Sequence, residues 1–267
     1  MEYTQEYRLA IQAAIDASLV IKEIYSREFK SVLKSDGSPV TEADLKASEI
    51  INRVLSFSKL PVIDEESDKL PYGQRKHWEK CWCVDPLDGT KEFLKRNDQF
   101  AVNIALIEKG RAVLGVIASP VLEEFIVGGP NIGAHYSRFN SFLNGHAPVS
   151  IQQSLTPKEL SVIASNSHHS PLLKKYLNLL SKSGYETKLI RKGSALKFFD
   201  LTMNNCQVYP RFAPTMEWDI AAGQAILEGI GGGVFEIQSK LPLTYNKEIL
   251  INPHFIAVSD VNLSLWR

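Results

Sequence analysis

Two short apolar runs in the first third of the chain each end on paired acidic residues, and this constrains the fold more than any other feature. Residues 60–63 run into Asp64-Glu65-Glu66, and residues 80–84 run into Asp85-Pro86-Leu87-Asp88-Gly89-Thr90. An apolar run of this length bounded by polar turn residues reads as a buried strand. Strand ends are where layered α/β sheets usually carry their chemistry. In Asp85-Pro86-Leu87-Asp88 the proline presets φ at the second turn position, and Asp is favoured at the first. The segment is therefore expected to be a tight turn that points both carboxylates the same way and leaves the Leu87 carbonyl free to join them.

The remaining pattern is mixed α/β. Residues 4–28 read as a helix with Ile11, Ile15 and Leu19 on one face. Thr41 is an N-cap with Asp44 as its capping-box partner, opening a helix to about residue 57. Residues 100–107, 112–118 and 124–127 form an antiparallel meander. A Ser/Gln/Thr/Pro-rich stretch at 149–160 marks a boundary between an N-terminal α+β half, 1–152, and a C-terminal α/β half, 153–267. Beyond it, strands at 161–164, 186–190, 207–210 and 233–237 alternate with helices at 171–182, 195–203 and 219–227.

Composition narrows the class. Hydrophobic residues make up 44% and charged residues 22%, so disorder is not the main state. Thirty Lys and Arg balance 30 Asp and Glu, which argues against wrapping a nucleic-acid polymer and leaves a small phosphorylated ligand open. Three cysteines make no disulfide framework, and Cys81-Trp82-Cys83 has the wrong spacing for a zinc knuckle, so buried thiols in a reducing, cytoplasmic setting are expected. The N-terminus does not read as a signal peptide, and no apolar stretch is long enough to span a membrane.

Clustered carboxylates repel one another unless a positive charge sits between them. An all-oxygen set of carboxylates and a carbonyl suits a hard cation such as Mg²⁺, which in turn favours phosphate oxygens. Gly89-Thr90 opens a short helix to Arg96 whose first amides are expected to hold a phosphate beside the metals. Asp219, in Glu217-Trp218-Asp219 before the small residues Ala221-Ala222-Gly223, is placed to add a further carboxylate. Each feature alone has a plain structural explanation, as a helix cap, a solvated loop or an ordinary turn; together they point to phosphoryl chemistry. Met216-Glu217 yields no functional expectation.

Asp85-Pro86-Leu87-Asp88-Gly89-Thr90, Trp218-Asp219-Ile220-Ala221-Ala222-Gly223 and the upstream Glu65-Glu66 resemble the lithium-sensitive, Mg²⁺-dependent phosphatases of the inositol monophosphatase superfamily. Further stretches resemble its bacterial CysQ type, the 3'(2'),5'-bisphosphate nucleotidases: 34–41, 89–93, Ser165-Asn166-Ser167-His168, 193–198 and Tyr209-Pro210-Arg211-Phe212. The resemblance implies a layered αβαβα sandwich. It also implies that Glu65, Asp85, Asp88 and Asp219 hold about two or three Mg²⁺ ions through side chains, with Leu87 a ligand through its carbonyl. It makes Asp44 and Thr90 the pair that orients and deprotonates the attacking water, with Glu66 ordering a water beside the metals. Gly89 and Thr90 amides would hold the scissile phosphate. Asp64, where relatives often carry Gly or Ser, would add negative charge beside the site.

Substrate choice falls to the second half. A bisphosphorylated nucleotide presents a second phosphate and a base; Lys197 and Arg211 supply cations for the phosphate, and the resemblance brings Ser194 and His168 to the 5'-phosphate, ribose or base. The expected reaction converts 3'-phosphoadenosine 5'-phosphate to AMP and phosphate, in sulfur metabolism. The resemblance also allows peripheral attachment to the cytoplasmic face of the inner membrane. Two alternatives stand at this point: a phosphatase of inositol monophosphate or a sugar phosphate, and a non-catalytic binding or regulatory protein on the same scaffold. Oligomeric state is not legible.

Overall fold

The structure is a computed structural model in which residues 4–35, 37–152, 160–166, 170–263 and 265 are described. The helix α1 (Gln5–Tyr25) begins at Thr4, whose side chain accepts the Tyr7 amide, and buries Ala10, Ile11, Ala14, Ile15, Ile21 and Ile24. A two-stranded hairpin, β1 (Ser31–Leu33) and β2 (Pro39–Thr41), leads into α2 (Glu42–Leu55), which opens on the expected Thr41–Asp44 capping box. Next come β3 (Val62–Asp64), α3 (Tyr72–Arg75), β4 (Lys80–Asp88) and α4 (Thr90–Leu94). The meander is β5 (Ala101–Glu108), β6 (Arg111–Ser119), β7 (Glu124–Gly129) and β8 (Gly133–Arg138), followed by α5 (Phe139–Leu143) and β9 (Val149–Ser150). These strands form a seven-stranded sheet in the order β3-β4-β5-β6-β7-β8-β9.

The second half supplies β10 (Leu160–Ala164), α6 (Pro171–Lys182), β11 (Thr187–Arg191), α7 (Leu196–Thr202), β12 (Val208–Arg211) and β13 (Thr215–Met216). It ends with α8 (Glu217–Gly229), β14 (Gly233–Glu236), β15 (Ile251–Asn252) and β16 (Phe255–Val258). The five-stranded sheet has the order β11-β10-β12-β16-β14. β16, which the alternating pattern does not predict, pairs antiparallel with both β12 and β14. Part of the expected boundary, 153–159, lies outside the described residues.

Three hydrophobic clusters define five layers. Buried residues of α1 and α2 pack on Trp82, Val84, Ile104, Val116 and Phe125 on one face of the large sheet. The opposite face, with Cys83, Ala105, Ile117 and Ile126, packs on α7 and α8, which also cover Tyr209, Val234 and Phe255 of the small sheet. The outer face of the small sheet, with Val162, Val208 and Ile256, is closed by Tyr176 and Leu180 of α6. The result is the αβαβα sandwich, with α7 and α8 as its shared middle layer. Cys81, Cys83 and Cys206 are all free and buried. Among the described residues, no helix is long and apolar enough to cross a membrane.

The Asp85–Asp88 segment departs from expectation. It is not a separate turn: β4 continues through it, with Asp85 opposite Asn103 and Asp88 opposite Ala101. Three steps on β4 thus match two on β5, a bulge that absorbs Pro86, which has no N–H for a ladder. In a regular strand, side chains an odd number of residues apart face opposite sides. The extra residue puts both aspartates on one side, so the convergence is as expected and its cause is different.

The middle layer is held at close approach by small residues. A Cβ added at Gly115 of β6 would lie 2.2 Å from the Ala222 carbonyl oxygen of α8. Gly115→Ala must push the sheet off α8 and is expected to cost about 3 kcal/mol, read as a fall in thermal unfolding temperature. Gly73→Ala, where the new methyl meets nothing within 4 Å, serves as the neutral control.

Candidate active site

The β4 bulge, the start of α4, the end of β3 and the first turn of α8 meet at one cavity of about 260 Å³. Its walls include Glu65, Asp85, Leu87, Asp88, Gly89, Thr90 and Asp219. A second cavity of about 160 Å³ shares Asp88, Gly89 and Asp219 and adds Ser194, Lys197, Tyr209 and Arg211. All but three of the residues expected at the site therefore line two adjoining spaces. Asp44 is joined to the wall through Thr90, Glu66 shares Lys34 with Glu65, and His168 lies outside the described residues.

Asp44 has two jobs. Its Oδ2 accepts the Thr41 amide at 2.8 Å and the Thr41 hydroxyl at 2.5 Å, capping α2, while its Oδ1 accepts the Thr90 hydroxyl at 2.8 Å. Burial pushes the Asp44 carboxyl above its ordinary value, and the three hydrogen bonds pull the other way. Because Thr90 spends its proton on Asp44, its oxygen lone pairs remain as acceptors. Gly89, which turns the chain from β4 into α4, has φ +103° and sits 3.0 Å (from an added Cβ) below the Gln99 carbonyl, so only glycine fits there. α4 ends at Leu94 and not at Arg96, a helix of five residues.

Each carboxylate is held by a protein group. Glu65 Oε1 accepts Lys34 Nζ at 3.0 Å, Asp85 Oδ1 accepts the Leu87 amide at 3.0 Å, and Asp219 Oδ2 accepts the Met216 amide at 2.9 Å. Asp88 Oδ2 accepts the Ala195 amide, which ties β4 to the N-terminal end of α7. Among the described residues, no three acidic, His or Cys side chains stand close enough to hold an ion as they are. Burial, then the charges of Glu65, Asp88 and Asp219, raise the Asp85 carboxyl well above its ordinary value. Asp219 is raised for the same reasons, burial and then Asp88. Asp88 is pushed up to about 6 by burial, with Lys197 opposing. A half-buried oxygen cluster of this kind is short of positive charge, and its donor set fits a hard divalent cation.

Three features escape a reading of the sequence. Lys34, which the resemblance over 34–41 covers without giving it a role, forks across both glutamates, donating to Glu65 at 3.0 Å and Glu66 at 2.7 Å. No spacing signal links residues 31 and 32 positions apart. Lys197 is buried; its ammonium donates to the Ser194 carbonyl and lies 5.1 Å over the Tyr209 ring. Burial lowers Lys197 to about 8, with Asp88 opposing. Asp64 is turned away from the cavity: its carboxylate accepts Ser48 and Asn52 of α2, each at 2.5 Å, and the Glu66 amide at 2.9 Å. The charge expected beside the site is therefore committed to anchoring β3 on α2.

The sequence profile of the inositol monophosphatase family matches residues 2–261. The 3'(2'),5'-bisphosphate nucleotidase CysQ of Escherichia coli K12 is 38% identical over 250 residues, covering 91% of this chain and 96% of the relative. The enzyme of the same name from Haemophilus influenzae is 32% identical, covering 92% and 90%. Among solved structures, CysQ from Bacteroides thetaiotaomicron superposes with a TM-score of 0.84 at 38% identity, over 96% of this chain and 97% of that one. The profile match spans both sheets and every residue that lines the two cavities, and on that ground the chain belongs to the inositol monophosphatase family.

Proposed function

We propose that the chain is a Mg²⁺-dependent phosphatase that removes the 3'(2')-phosphate from 3'(2'),5'-bisphosphate nucleotides. One observation carries the reading: the acidic cavity with its Asp44–Thr90 pair opens, across Asp88 and Asp219, onto a cavity lined by Lys197, Arg211 and Tyr209. A bisphosphorylated nucleotide needs both halves, one for the phosphate that leaves and one for the phosphate and base that stay. The similarity to CysQ-type nucleotidases over more than nine-tenths of the E. coli relative supports the same substrate class.

Glu65, Asp85, Asp88, Asp219 and the Leu87 carbonyl are the groups that would hold Mg²⁺. When bound, the metal supplies counter-charge to the phosphate and acidifies a water. Thr90 accepts a hydrogen bond from the attacking water and orients it. As the water's oxygen bonds to phosphorus, its proton passes to the Thr90 oxygen and the Thr90 proton passes to Asp44 Oδ1, 2.8 Å away. The bond from phosphorus to the sugar oxygen breaks, and that oxygen takes a proton from solvent. Burial favours the protonated form of Asp44, which suits it as terminal acceptor. The Gly89 and Thr90 amides hold the phosphate oxygens, and Glu66 orders a water from behind Glu65. Lys197, Arg211 and Ser194 face the part of the nucleotide that is not cleaved.

Phosphate release from 3'-phosphoadenosine 5'-phosphate, inositol 1-phosphate and fructose 1,6-bisphosphate tests the substrate class; a preference for inositol 1-phosphate would overturn it. Activity is expected to vanish in excess chelator and return with Mg²⁺, and Asp88→Asn is expected to lower kcat by about three orders of magnitude in a folded protein. Near-normal turnover under either condition removes the metal assignment. Thr90→Ala is expected to lower kcat by roughly 10²–10⁴-fold while leaving half-saturating Mg²⁺ unchanged, because it deletes a proton relay and no ligand. A defect seen mainly in metal binding would move Thr90 to another role. Lys197→Ala is expected to lower kcat/KM for 3'-phosphoadenosine 5'-phosphate by about 10–100-fold, the worth of a charge-assisted contact to phosphate. Hydrolysis of inositol 1-phosphate, which has no second phosphate, should change little; equal losses on both substrates would assign Lys197 to the fold or to the scissile phosphate.

A further inference from the structure

Glu217 opens α8 two residues before Asp219, and its side chain is fully buried away from both cavities. Its carboxylate is the meeting point of three donors from one loop. Oε2 accepts the Asn246 amide at 2.6 Å; Oε1 accepts the Lys247 amide at 3.0 Å and Lys247 Nζ at 2.6 Å. That loop is itself fixed from the N-terminal half. Arg75, buried at the end of α3, donates to Asn246 Oδ1 at 2.7 Å, and its carbonyl accepts the Asn246 side-chain amide at 2.8 Å. On the other side, Lys247 reaches Asn252 Oδ1 at 3.3 Å, and Asn252 donates to the Met216 carbonyl at 2.7 Å. Met216 in turn gives its amide to Asp219 Oδ2 at 2.9 Å.

These bonds close a ring around the first turn of α8. We infer that Glu217 is a positioning residue that sets where the Asp219 carboxylate stands, by fastening the start of α8 to the 244–252 segment and, through Asn246, to Arg75. The inference rests on the reading of Asp219 as a metal ligand. A fully buried carboxylate is costly unless its lone pairs are met, and here three donors from a segment far in sequence meet them. Metal–oxygen distances tolerate only about 0.2 Å of error, so a small slip of the α8 start reaches the ligand at once. A glutamine at 217 keeps the volume but turns an N–H₂ toward backbone N–H donors, so at least one of the three bonds is replaced by repulsion. Glu217 touches no substrate; it acts through Asp219.

The test is calorimetric titration of the whole chain with Mg²⁺ alone, alongside thermal unfolding. Glu217→Gln is expected to raise half-saturating Mg²⁺ about tenfold, while kcat at saturating Mg²⁺ and KM for 3'-phosphoadenosine 5'-phosphate stay within about threefold of the original. Lys247→Met leaves both backbone amides on Glu217 and is expected to raise it about threefold. A drop in unfolding temperature with unchanged Mg²⁺ affinity in both variants overturns the inference, since a merely structural role predicts just that. Should Glu217→Gln fail to fold, Lys247→Met decides by itself, its side chain being partly exposed. Absence of Mg²⁺ uptake by the unaltered protein overturns the reading of Asp219 and the inference with it, and the unaltered titration tells this apart from failure of the inference alone.

Discussion

One extra residue in β4 is the constraint from which the site is built. Like charges gather only where the chain forces them to, and the bulge between Asp85 and Asp88 does so by turning two carboxylates of one strand to the same face. Pro86 suits the bulge because it needs no ladder partner. The bulge also delivers the chain into Gly89, whose positive φ starts α4 and brings Thr90 back to Asp44 on α2. The contiguous β4 and α4 and the distant α2 thus take their relative positions from a local irregularity in one strand.

The second organising feature is the middle helical layer. α8 packs on β4, β5, β6, β7 and β8 of the large sheet, and its Gly223 leaves just enough room for the Phe198 ring of α7. A helix wedged between two sheets in this way can carry a carboxylate into a site built mostly by the other half of the chain. The grip is reciprocal: Asp88 accepts the Ala195 amide at the start of α7, so the acidic strand also steadies the wall that bears Lys197.

Much of this was legible from sequence, and the failures have definite causes. Long periodic segments such as α1 and α6, and apolar runs such as β5 and β6, announce themselves through burial pattern. β8 and β9 carry Gly, His, Tyr and Ser in place of an apolar run, and β16 is four apolar residues with no partner nearby in sequence. The acidic motifs were readable because they are local; Asp44–Thr90 could be paired only through a family likeness, being 46 residues apart. Lys34, the burial of Lys197 and the ring around Glu217 were unreadable for one reason. Each is decided by how elements distant in sequence pack on one another after the layers have formed. Asp64 misleads for the same reason: a carboxylate beside two others looks like part of their cluster until Ser48 and Asn52 claim it.

The three cysteines have a practical meaning. All are free and buried, and burial raises each thiol above its ordinary value, Cys81 to about 12. The thiolate is the reactive form, so in the closed protein none offers a nucleophile to solvent. Cys81 and Cys83 lie on the face of the large sheet covered by the middle helical layer, and Cys206 belongs to the same cluster. A thiol-reactive dye therefore acts as a clock for the parting of that layer from the sheet, and a cysteine engineered at the surface can be labelled without first removing the native ones.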